Sequence, residues 1–141
     1  MVDANVKLTP EAVSAYNDLQ GTKRAYTWIR MGFTDDLKKV ELKETGAPGA
    51  TFEDLLAIVP KDRTSFIVYN VEYKTSEGQD RNPVLIVSYS DDDHNKLKEK
   101  MLAASTAKNV KAQCKSFAKF ASVNQWSDLN YDNFVTLASS K

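Results

Sequence analysis

Cysteine and histidine are nearly missing from this chain of 141 residues, which has one of each, Cys114 and His94. A lone cysteine forms no internal bridge, and one thiol with one imidazole cannot assemble a thiolate zinc cluster. Glycine is scarce as well, at five residues, and neither GxxxxGK[ST] nor GxGxxG occurs, so no phosphate-cradling loop is expected. The run Asp91, Asp92, Asp93 lacks the alternating ligands of a calcium loop and reads as a capping cluster. Net charge is absent too: nineteen Lys and Arg balance nineteen Asp and Glu, leaving no overall field to steer the molecule onto nucleic acid. No apolar run approaches a membrane span and no signal-like stretch stands at the N-terminus, so a cytoplasmic location is expected. No nucleophile stands beside a base, so an enzyme is not expected, and neither is a metal or a cofactor.

What remains suffices for one domain over residues 1–141 that buries roughly 68–70% of its unfolded surface. Residues 1–7 read as an irregular arm. Thr9 and Pro10 then open a helix that runs to about Leu19, with Gly21 as its stop. From residue 25 the period changes to two, with Ile29, Met31 and Phe33 on one face and Tyr26, Trp28 and Arg30 on the other. A turn at 34–36 returns the chain through Val40 and Leu42 as a half-exposed partner strand, and the glycines of residues 46–49 read as a turn only. Thr51 to Asp54 form a capping-box pattern for a short second helix that ends before Pro60. Strands follow at 64–74 and 84–89, joined by a projecting loop at 75–83, and the doubly apolar VLIV marks a central strand. A long helix at about 92–116, a strand at 117–123 and a last helix opening at Ser127-Asp128-Leu129 complete the chain. The fold class is α/β (α+β): a central mixed sheet of about five strands sandwiched by helices.

The long helix invites most attention. Aspartates precede it and lysines follow, which suits the helix dipole at about 0.3–1 kcal/mol per exposed charge. Leu97, Met101, Ala104, Ser105, Val110, Cys114 and Phe117 recur at helical spacing as one apolar stripe. In one reading that stripe is core, with Met101 buried and the lysines solvated. In the other, Lys98, Lys100 and Met101 form a basic, partly apolar ridge that docks on an acidic partner. Periodicity leaves both open. Cys114 reads as a buried inert thiol, His94 as a solvated imidazole, and Trp28 and Trp126 as core or rim anchors.

Over its full length the chain resembles the actin-depolymerising factor and cofilin family. AVSAYNDLQ, YTWIRMGF, SFIVYNVEY, VLIVSYS, LKEKMLAAST and LNYDNFV stand in that family's order, and KEKMLAAST is the most specific of them. The resemblance implies an actin-binding module whose monomer-binding positions are Ala4, Asn5 and Val6 in the arm and Lys98, Lys100 and Met101 in the long helix. It places filament contacts on Asp80 and Arg81 in the loop and on Thr136, Leu137 and Lys141 near the end, a set poorer in charge than the family's. Monomer binding is therefore expected to outweigh filament binding, by a protein that is itself monomeric. Ala4 stands where the family has a regulatory serine, so no phosphate switch is expected there. Thr27-Trp28 is similar to coactosin, a filament side-binder, which is the alternative. Lys96, Lys108, Lys111 and Lys115 make a phosphoinositide-regulated cortical protein a third reading.

Overall fold

Residues 6–20, 25–60, 62–91, 97–114 and 117–139 are described by the computed structural model, the side chains of Leu97 and Lys98 excepted. In chain order the strands are β1 (Lys7–Leu8), β2 (Trp28–Phe33), β3 (Lys39–Gly46), β4 (Ser65–Asn70), β5 (Tyr73–Lys74), β6 (Asp80–Arg81), β7 (Val84–Tyr89) and β8 (Lys119–Val123). The helices are α1 (Pro10–Leu19), α2 (Phe52–Leu56), α3 (Leu97–Gln113) and α4 (Tyr131–Ser139).

The expected five strands are six in one sheet, ordered β1-β3-β2-β4-β7-β8, with β5 and β6 as a separate ribbon. The two outer pairs are parallel and the three inner pairs antiparallel. Two short-range reasons account for the difference. β1 has two residues, too few to show any period, and begins at the last residue of the segment read as an irregular arm. The strand expected over 64–74 ends at Asn70; the Val71 N–H still meets the Pro83 carbonyl at 3.0 Å, one step beyond the Asn70–Val84 pair, before the chain departs into the ribbon.

Every residue of β2, β4 and β7 is buried, as strands covered on both faces require. Their alternation divides the core. Ile29, Met31, Phe66, Val68 and Ile86 face α1 and α3, where Tyr16, Leu19, Leu102 and Val110 meet them. Ile67, Tyr69, Leu85, Val87 and Tyr89 face α2 and α4 and pack on Leu55, Phe52 and Phe134. Rings of Phe52, Tyr69 and Phe134 meet edge-on or tilted at 4.9–5.7 Å, the offset geometries that ring quadrupoles favour.

Local chemistry places the helix ends. The Thr9 hydroxyl accepts the Ala12 N–H at 3.3 Å and Pro10 occupies the first turn. The expected stop at Gly21 lies outside the described residues, and Gln20 is the observed cap. Thr51 and Asp54 complete a reciprocal capping box on α2. α4 starts later than the sequence indicates: Asn130, not Ser127, caps it by accepting the Asn133 N–H at 2.8 Å, and a single 3-10 turn (Trp126–Asp128) precedes it.

Packing refines the reading of two further residues. Gly46 is not a sheet breaker. It is the last residue of β3, directly opposite Trp28, and a Cβ there would lie 2.4 Å from the indole. Asp91, the first residue of the run read as a capping cluster, is buried two residues past β7 and accepts the Tyr89 hydroxyl at 3.1 Å. The helix expected over 92–116 is described from 97 to 113, and residues 92–96, including His94, lie outside the described residues.

Candidate functional site

α3 turns about 100° per residue, so its sequence offers more than one line of non-charged side chains. The line that faces the sheet is Glu99, Leu102, Ala103, Thr106, Val110 and Cys114, all buried. The stripe read from Met101 and Ala104 is thereby corrected, because both point outward. Met101 is 62% exposed and is the only large apolar side chain so exposed among the described residues. Its neighbours on the outer face are a half-buried Lys100, an exposed Ala104 and, one to three turns on, the exposed Lys108 and Lys111. Lys98 lies in the first described turn, its side chain outside the described residues.

The inner face begins with a carboxylate. Glu99 is 4% exposed, and its Oε1 accepts the Thr64 N–H at 2.7 Å while Arg63 Nε donates to both oxygens at 3.0 and 3.3 Å. A charge in that position would be costly without such partners. At the far end of the helix, Asn109 Nδ2 donates to the Val6 carbonyl at 2.6 Å and the Leu8 N–H donates to Gln113 Oε1 at 2.8 Å. The arm therefore runs alongside α3 in the same direction. Val6, read as a contact residue, is a core side chain, drawn in because the arm is bonded to the helix on its polar edge. Ala4 and Asn5 lie outside the described residues, as do Lys96, Lys115 and Lys141.

The remaining candidates gather elsewhere. Asp80 and Arg81 are exposed on the ribbon, where Asp80 lies 3.8 Å from Lys74 Nζ and Arg81 donates to Gln79 Oε1 at 2.8 Å. Gly78, at φ +82°, makes the tight turn between the two strands. On α4, Thr136 is exposed and donates to the Asp132 carbonyl at 3.0 Å, whereas Leu137 is half-buried against the core. Ribbon and helix are joined by Tyr131, whose hydroxyl donates to the Glu72 carbonyl at 2.5 Å and accepts the Glu72 N–H at 3.3 Å. Lys111 Nζ stands 4.7 Å above the Phe120 ring, which leaves Lys108 the freer of the two exposed lysines.

Burial pushes the Cys114 thiol up to about 12, so it is an inert part of the core. Among the described residues no three His, Cys, Asp or Glu side chains stand close enough to hold a metal, and no helix is long and apolar enough to cross a membrane. Glu99, Arg63, Asn109 and Gln113 carry the geometry of α3, and none of them stood out in the sequence. One signal existed: Glu99 begins a run of i+3, i+4, i+7 and i+11 positions that fits a buried line as well as Met101 does.

Comparison with known proteins places this geometry. The family described as cofilin/tropomyosin-type actin-binding protein matches residues 5–139. Actophorin of Entamoeba histolytica is 26% identical over 132 residues, 94% of each chain. Among solved structures, Streptomyces griseoflavus cofilin superposes with a TM-score of 0.82 at 22% identity, covering 96% of this chain and 98% of that one. Coactosin from Entamoeba histolytica gives 0.78 at 15% identity and 96% coverage of both, so the shared fold does not separate the two kinds of relative. With a family match that spans nearly every residue and a six-stranded sheet held between two helical layers, the chain belongs to the cofilin/tropomyosin-type family of actin-binding proteins.

Proposed function

We propose that the chain binds monomeric actin through the outer face of α3 and the N-terminal arm, and that it attaches to filaments only weakly. Met101 carries this reading: an unbranched, adaptable side chain left 62% exposed, next in sequence to Lys100, on a helix whose opposite face is core. An apolar centre among cations suits a partner that offers a pocket rimmed by carboxylates. The arm's course along α3 supports counting Ala4 and Asn5 with Lys98, Lys100 and Met101, and gives Val6 the part of an anchor. The weak filament attachment rests on the second surface. There Asp80 and Arg81 oppose each other in sign, and α4 has no cation between Tyr131 and Ser139. A cytoplasmic, cytoskeletal place and a non-enzymatic role follow from that partner.

Titration of labelled monomeric actin, beside filament co-sedimentation at the same ionic strength, tests the proposal. Lys100→Ala with Met101→Ala is expected to weaken monomer binding roughly tenfold or more, since central anchors dominate such interfaces. Unchanged affinity would remove the ridge from the site. Co-sedimentation with filaments but no affinity for monomer would favour the coactosin-like alternative. Lys108 and Lys111, with Lys96 and Lys115, support a regulatory competition with phosphoinositide lipids in place of the phosphate switch that Ala4 cannot carry. Vesicles containing phosphatidylinositol bisphosphate should displace actin monomer, and plain phosphatidylcholine vesicles should not.

A further inference from the structure

The face that α3 shows to a partner depends on what holds its other face. Apolar packing is not directional, and the inward line of α3 offers little that would fix a rotation. Ala103 is small, and the buried Thr106 hydroxyl has no hydrogen-bond partner. At the Met101 end the outward line of Met101, Ala104 and Ser105 is apolar or small enough to compete with it for the sheet, although Lys108, two turns on along the same line, favours solvent. Turning the helix by about half a revolution would bury Met101 and bring Leu102 toward solvent. Something directional must choose between the two.

At the Met101 end of the helix Glu99 supplies such a contact. Its carboxylate is buried and receives three hydrogen bonds, from Thr64 N–H and from Arg63 Nε to each oxygen. Thr64 itself is 1% exposed and is held in turn by a 2.8 Å bond between its hydroxyl and that of Ser90. The donating groups thus stand at the start of β4, an inner strand of the sheet. Two further directional contacts of α3, Asn109 to Val6 and Gln113 to Leu8, lie 10 or more residues along, about 15 Å away. Met101 comes two residues after Glu99, about 200° round the axis, and residue 100 lies about 100° round. Fixing Glu99 inward therefore directs Met101 outward. It also turns the one carboxylate of the KEKM segment away from a partner and neutralises it with Arg63.

We propose that Glu99 is the positioning residue of the ridge: anchored by Thr64 and Arg63, it sets the rotation of α3 and so presents Met101 and Lys100 without touching the partner. The consequence for actin rests on the function proposed above, whereas the rotational lock is measurable without actin. The full chain, labelled on its methionine methyl groups, provides the test, because Met31 is buried in β2 and serves as an internal control. In Glu99→Ala the Thr64 amide should exchange at least about tenfold faster and the Met101 methyl resonance should move. The Met31 resonance and the protected amides of β4 and β7 should stay where they are. Affinity for monomeric actin should fall about tenfold, equivalent to about 1.4 kcal/mol. Glu99→Gln keeps an oxygen for the Thr64 N–H and should recover most of both signals.

A Met101 resonance and an actin affinity that are unchanged in Glu99→Ala would overturn the proposal. Should that variant fail to fold, Arg63→Ala removes a partly exposed partner and leaves the Thr64 bond. A smaller displacement of Met101 in the same direction is then expected, and none would overturn the lock. A wild-type chain that ignores actin monomers would refute the proposed function, while the methyl and amide signals still decide the rotation.

Discussion

Gly46 and Trp28 form a matched pair in which one residue's lack of a side chain makes room for the other's ring. The indole lies across the end of β3 and donates from Nε1 to the Thr51 carbonyl at 3.3 Å, which links the strand to the cap of α2. A methyl group at position 46 would sit 2.4 Å from ring carbon, a separation that real side chains do not adopt. Gly46→Ala is therefore expected to cost about 1–3 kcal/mol of stability by overpacking, read as a lower urea midpoint with an unchanged slope. Sequence reasoning assigned this glycine to a turn because Pro48 and Gly49 follow it. What it really answers to is a residue 18 positions earlier, across an antiparallel pair, and no local pattern carries that information.

Elements were legible where a period or a cap fixed them, and not where tertiary choice did. α1, the Thr51 capping box, β2, β3 and the doubly buried β7 follow from spacing and end chemistry that are contained within each segment. The rotation of α3 does not, because its non-charged residues lie on more than one line, and the packing of Leu102, Val110 and Cys114 and the bonds of Glu99 to Thr64 and Arg63 are tertiary. The family resemblance supplied the residues of the ridge, and the exposure of Met101 shows that this side chain is open to solvent. The ribbon and α4 form the other exposed candidate surface, and there cations are offset by carboxylates or missing. Asp80→Lys together with Thr136→Lys adds two cations at exposed positions and leaves the half-buried Leu137 in its packing. Co-sedimentation with filaments is expected to increase several-fold at low salt and to lose that gain at high salt. No increase would mean that the weak attachment has another cause.

At the scale of the whole molecule, Cys114 and three tyrosines among the described residues are neutral acids kept neutral by the core. Burial raises Cys114 and Tyr69 to about 12, and Tyr131, Glu53 and Glu72 add to the effect at Tyr69. Burial also raises Tyr16, beside Cys114, and Tyr89, beside the Asp91 carboxylate. Unfolded thiols and phenols ionise near about 8.5 and 10, so above that range the unfolded chain holds fewer protons than the native one. Native stability then falls as pH rises. These groups contribute fully below about pH 8, and their contribution is lost progressively toward pH 12. The urea midpoint should be flat from these groups between pH 6 and 8 and should decline by pH 10, with the onset of decline moved to higher pH in Cys114→Ala. A midpoint that does not change over that alkaline range would contradict the burial of these side chains.

Tyr131 carries a mechanical consequence at this largest scale. Glu72 is the point at which the chain leaves the sheet, and both of its backbone polar groups close on one phenol where a neighbouring strand would ordinarily supply two partners. A single oxygen thus fastens the root of the ribbon to the first residue of α4, across 59 positions of sequence. Load applied to either by a bound protein is delivered to both, so the pair would yield together or not at all.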